Sequence, residues 1–210
     1  MNEEWVYVTD ELENAIDYLE KAAEFFQEEN DQHRFKWLMI TLHGALYGFG
    51  ICNIQGSNPI ETVLKPLKAS KRKLKETKKD NSKSILDKPS DNQVFNFIKY
   101  YIEGKVLSIR EILKRCQSSD YMMQHNEMSK VLCLTSKQET AIDFLIDYRN
   151  DFAHFKPAAY CITGNYDEDT ILPVVEVIKF LALDSNNINY SEMKLEEKIR
   201  KALNKFYNRS

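Results

Sequence analysis

An all-α fold follows from three observations. The long apolar segments repeat at steps of three and four residues, the period of one buried helical face. The chain holds only six Gly and five Pro in 210 residues, too few for the many tight turns of a sandwich or barrel. No strand-like alternation persists. The pattern predicts one domain of five or six helices over residues 1–210, and a hydrophobic fraction of 43% gives it a core to bury.

The first helix is expected over Thr9 to Glu29. Thr9 or Asp10 can cap it, and acidic residues at Glu11 and Glu13 suit the positive end of its dipole. Leu12, Ala15, Ile16, Leu19, Ala22, Ala23 and Phe26 form its buried stripe, with Glu20, Glu24 and Glu28 left in water. The second helix is expected over Gln32 to Asn53 and is apolar nearly all round, which places it centrally. Gly44, Gly48 and Gly50 on it permit close packing of a neighbour. His43 reads as a core histidine.

Composition changes from Gly56 to Asn92. A short helix is expected from Pro59 to Leu67, after which lysines dominate, so residues 56–92 read as a basic insertion or linker. A third long helix is expected over Gln93 to Gln117, then a polar loop from Ser118 to Lys130. The fourth helix starts at Thr135 or Ser136, with Ser136 and Glu139 spaced for a capping box. It ends near His154, because Pro157 disfavours helix at Lys156. A fifth helix follows over Thr170 to Leu183 and a charged last one over Ser191 to Tyr207, with a few extended residues expected near Tyr160 to Thr163.

A net charge of −3 and a pI near 5.9 exclude a globally basic nucleic-acid binder but leave room for a local basic patch. Met1 to Asp10 is acidic and lacks a long apolar run, so no secretory signal is read there. Trp37 to Cys52 is shorter than the roughly 20 residues that span a bilayer. The expectation is a cytoplasmic protein without a membrane segment. Cys52, Cys116, Cys133 and Cys161 are far apart and read as reduced, buried thiols, not as a zinc site. No phosphate-cradling glycine loop and no metal-ligand spacing appears, so neither cofactor nor metal is expected.

The informative string is Tyr148-Arg149-Asn150-Asp151-Phe152-Ala153-His154-Phe155-Lys156-Pro157. It sets a permanently charged guanidinium and a titratable imidazole at the end of a core helix. The guanidinium can brace phosphate oxygens in a bidentate way, and the imidazole can move protons near neutral pH. The same residue types also serve a helix end, where Arg complements the dipole and His caps carbonyls. Five helical steps put Arg149 and His154 roughly 140° apart. Convergence therefore needs the helix to end at His154 or a second copy of the motif across an interface. Asn150 lies four residues before His154 and shares its face, where it is expected to bond the ring or a phosphate.

Arg149-Asn150-x-x-x-His154, with its flanking Tyr148, Asp151, Phe152 and Phe155-Lys156-Pro157, resembles the HEPN family. The order of helices, with two long N-terminal ones, a variable insertion and the motif on a late helix, is similar too. The resemblance implies a HEPN-like helical bundle that dimerises through the motif-bearing helix. It implies a metal-independent endoribonuclease, of the kind found among bacterial and archaeal toxins and anti-phage factors. Arg149 would bind the phosphate, Asn150 would orient it and His154 would be the acid/base. A protein partner encoded elsewhere is also compatible with the family. Toxins silenced by nucleotide transfer often carry a Tyr two residues after the His; here that position is Lys156. Many relatives are non-catalytic, so a protein- or nucleic-acid-binding module is the alternative.

Lys65, Lys68, Lys71, Arg72, Lys73, Lys75, Lys78, Lys79 and Lys83 form a run broken only by the acids Glu76 and Asp80. Such a run can hold RNA phosphates in a salt-dependent way, or stand in water without a ligand. No aromatic residue is interleaved for base stacking.

Overall fold

The computed structural model describes residues 9–56, 62–65, 104–154, 159, 161–190 and 192–208. The fold is an all-α bundle, without a strand among the described residues. Among the described residues its helices are α1 (Glu11–Gln27), α2 (Arg34–Ile54), α3 (Ile109–Cys116), the single turn α4 (Ser119–Met122) and α5 (Ser136–Ala153). A continuous α6 follows through Asp167–Ile171, Leu172–Lys179 and Phe180–Asp184, then α7 (Met193–Tyr207).

Asp10 starts α1 by accepting from the Glu13 N–H at 2.8 Å. The expected stripe of α1 is buried, from Ala15 to Phe26. α2 is the central helix and packs against α1, α3, α5 and α6. Leu38, Leu42, Leu46 and Phe49 are fully enclosed on it, each contributing about 1.5–3 kcal/mol of apolar burial. By length and composition α2 is also long and apolar enough to cross a membrane; in this fold it is wrapped by its neighbours. The glycines act as the sequence suggests. A Cβ at Gly48 would stand 2.7 Å from Ala15 Cβ, and one at Gly44 would stand 2.6 Å from the Tyr18 ring. Only hydrogen at these positions lets α1 lie so close.

Several boundaries differ from expectation. The third helix begins at Ile109, not within a long helix from Gln93, because Ser108 and Glu111 close a capping box. Before it the chain is extended: Leu64 and Val106 form an antiparallel bridge. Lys65 N–H donates to Lys105 O at 2.7 Å and Leu107 N–H to Val63 O at 2.9 Å. The expected Pro59 to Leu67 helix lies largely outside the described residues, as do residues 93–103. The polar stretch after Gln117 contains α4, started by the Ser118 hydroxyl. The capping box of α5 is Thr135 with Gln138, one residue earlier than Ser136 with Glu139. Asp167–Ile171 and Phe180–Asp184 of α6 are π-helical turns, shown by Leu172 N–H bonding to Asp167 O and Ser185 N–H to Phe180 O. Of the cysteines, Cys116 is buried and Cys52 half-buried, whereas Cys133 and Cys161 are exposed, against the expectation of four buried thiols.

Candidate functional site

α5 carries the motif and is anchored at its start by the Thr135 and Gln138 capping box. Gln138 also donates from Nε2 to Glu176 on α6 at 3.1 Å. Ala141, Ile142, Leu145 and Ile146 bury one face against α2 and α6. Beyond them come the aromatics. Phe144, Tyr148 and Phe152 recur every fourth residue with rings stacked at 6.4 and 6.2 Å between centroids. Phe35 of α2 meets Tyr148, Phe152 and Tyr166 edge-on, at 5.0, 6.0 and 5.0 Å. Phe144, at the outer end of the ladder, is 50% exposed.

α5 ends at Ala153, and His154 is its C-cap, with φ −101° and ψ 10°. Its backbone N–H still bonds to Asn150 O at 3.0 Å, while the side chain is exposed. The helix therefore does end at His154, one of the two conditions for bringing Arg149 and His154 together. Asn150 behaves differently from expectation. Its Oδ1 accepts from Arg149 Nη1 at 3.1 Å, so the amide braces the guanidinium and not the imidazole.

Arg149 reaches a cleft of about 300 Å³ bounded by α1, α2 and α5. Glu11 and Tyr18 line it from α1, and His43 and Tyr47 from α2. His154 is not among the residues that line it. Burial, and then the charge of Arg149, lower the His43 pKa to about 4, so its ring is neutral at physiological pH. The Tyr47 hydroxyl donates to Leu107 O, and burial raises its pKa. The sequence reading had His43 as a core histidine and missed its place beside Arg149. Nothing local announces that pairing, because the two residues meet only through the packing of α5 on α2.

Of the lysine run, Lys65 is described: it is exposed, and its Nζ lies 3.6 Å from the Glu111 carboxylate. Lys68, Lys71, Arg72, Lys73, Lys75, Lys78, Lys79 and Lys83 lie outside the described residues, as do Phe155, Lys156 and Pro157. Among the described residues no group of three His, Cys, Asp or Glu is placed to hold a metal ion. Burial pushes the Cys52 and Cys116 thiols up to about 12, so neither offers a thiolate nucleophile at neutral pH. Comparison of the chain with protein-family models, with curated proteins and with solved structures finds no match.

Proposed function

We propose that the protein is a HEPN-type endoribonuclease that cleaves RNA without a metal ion, of the toxin or anti-phage class. The observation that carries this reading is the end of α5. The helix stops at His154, the imidazole is exposed, and Arg149 is held by Asn150 one turn before it.

The chemistry uses the RNA's own 2′-hydroxyl. That oxygen attacks the adjacent phosphorus and gives up its proton, the P–O5′ bond breaks, and the leaving oxygen takes a proton. The products are a 2′,3′-cyclic phosphate and a 5′-hydroxyl. His154 moves protons at one of these oxygens. Arg149 stabilises the charge that builds on the phosphorane oxygens. A symmetric dimer through α5 would place two Arg149 and His154 sets at one cleft, and the exposed end of the Phe144, Tyr148 and Phe152 ladder gives such a partner an apolar surface. RNA is the substrate, and the lysine run would add phosphate contacts.

The alternative, a non-catalytic binding module, is favoured by one observation: within a single chain His154 stays outside the cleft that Arg149 lines. A cleavage assay comparing wild type with His154→Ala separates the two. Loss of cleavage in the variant supports the ribonuclease, and no cleavage by wild type supports the module.

A further inference from the structure

The geometry points to the cleft between α1, α2 and α5 as the seat of one nucleotide of the bound RNA strand, with its phosphate on Arg149, the His43 ring hydrogen-bonded beside it, and its sugar or base against Tyr18. This assignment rests on the ribonuclease reading and deepens it.

Four features carry it. The cleft, at about 300 Å³, lies at the small end of the roughly 300–1,000 Å³ of ligand pockets, the scale of one nucleotide and not of a strand. Arg149 is half-buried and bonded to a neutral amide; among the described residues no carboxylate forms an ion pair with it. A guanidinium so placed is suited to an incoming phosphate.

His43 is only 9% exposed, yet among the described residues no hydrogen bond holds its ring. The one fully enclosed, unpartnered side-chain polar atom among those residues is Asn53 Oδ1. The ring nitrogens of His43 are therefore open to the cleft. Burial and Arg149 keep the ring neutral, so it offers a hydrogen bond and leaves proton transfer to His154. Finally, the Tyr18 ring lies over Gly44, against which a Cβ would collide, and Tyr18 is itself exposed at the cleft. An aromatic face at the rim suits the flat, apolar part of a nucleotide.

The test uses the full chain with histidine rings isotopically labelled and a 2′-O-methyl RNA hexanucleotide, which cannot be cut because its 2′-oxygen is blocked. The hexanucleotide should shift the His43 ring resonances of wild type, a measurement that needs no variant to fold. Arg149→Gln should weaken its binding by about tenfold or more, the effect of losing one charge-assisted contact. Tyr18→Ala should weaken the hexanucleotide but not inorganic phosphate. Binding that leaves His43 unmoved overturns the assignment. So does inorganic phosphate that matches the hexanucleotide in affinity while Tyr18→Ala changes neither, since the cleft would then be an anion site alone. Cleavage of unmodified RNA is measured separately. Cleavage with a silent His43 discards the cleft and keeps the ribonuclease; a shifted His43 without cleavage keeps the cleft and discards the ribonuclease.

Discussion

Arg34 donates from Nη2 to both carboxylate oxygens of Asp167, at 3.1 and 3.3 Å, and the same guanidinium holds the last carbonyls of α1. Its Nε bonds to Phe25 O at 3.2 Å and its Nη2 to Phe26 O at 3.1 Å. One side chain at the start of α2 thus ties the end of α1 to the start of α6. Replacing it by Met leaves a shielded carboxylate and two helix-end carbonyls without that donor. Breaking a buried pair in this way typically costs about 3–5 kcal/mol. Urea denaturation of Arg34→Met should show that loss as a lower midpoint with an unchanged slope. Adding Asp167→Asn should restore part of it.

The His43 ring gives stability a defined pH dependence. Its pKa is lowered from 6.5 to about 4 in the folded chain, so between these values the unfolded chain binds the extra proton. Stability contributed by the neutral ring is present above pH 6.5 and is lost progressively as pH falls towards 4. The full loss is about 3 kcal/mol at 1.36 kcal/mol per pKa unit. His43→Gln should remove this component. Equilibrium unfolding from pH 7 to pH 4 should show wild type losing about 3 kcal/mol more than the variant; parallel curves would show that His43 is not held neutral.

Cleavage should depend on both motif residues. General acid/base catalysis is worth about 10²–10⁴-fold, so His154→Ala should lower the single-turnover rate by that order without changing the thermal midpoint. Arg149→Lys should also fail, because a point charge does not reproduce the planar fork. Asn150→Ala should be milder, since its amide only braces Arg149. Chelator should leave the rate unchanged, and DNA should not be cut. Survival of cleavage in His154→Ala sinks the mechanism.

The dimer should close over the aromatic ladder of α5. Phe144 is the exposed member of that ladder, and a carboxylate there would have to be buried in a two-fold interface. Phe144→Glu should therefore shift sedimentation from dimer to monomer at micromolar concentration while the far-UV spectrum stays helical. A wild type that sediments as a monomer across that range would remove the interface.

Much of the fold was legible because its signals are local. Asp10, the apolar stripe from Ala15 to Phe26 and the all-round apolarity of α2 set two helices within two residues of their ends. The start of α3 was misread because Val106 continues the apolar spacing ahead of the helix. The Ser108 and Glu111 pair was the signal that resolves it. Thr135 with Gln138 and Ser136 with Glu139 both satisfy the capping-box spacing, and composition does not choose between registers one residue apart. The π turns of α6 left no pattern in the sequence. At the candidate site, the place of Arg149 and His154 at the end of α5 was readable from the helix pattern and Pro157. His43 was not, because its meeting with Arg149 is made by the packing of α5 on α2.

The bridge between Leu64 and Val106 bears on how freely the chain can be rebuilt. With Lys65 and Lys105 joined by a backbone hydrogen bond, the points where the chain enters and leaves the intervening segment stand side by side, as the posts of one doorway. The entropy of closing a loop grows only with the logarithm of its length. A two-residue Asn-Gly turn can span the same doorway, since antiparallel neighbours need no more. The doorway is thus a grafting point: its posts are already joined, so a folded module whose ends lie close together matches the span between them.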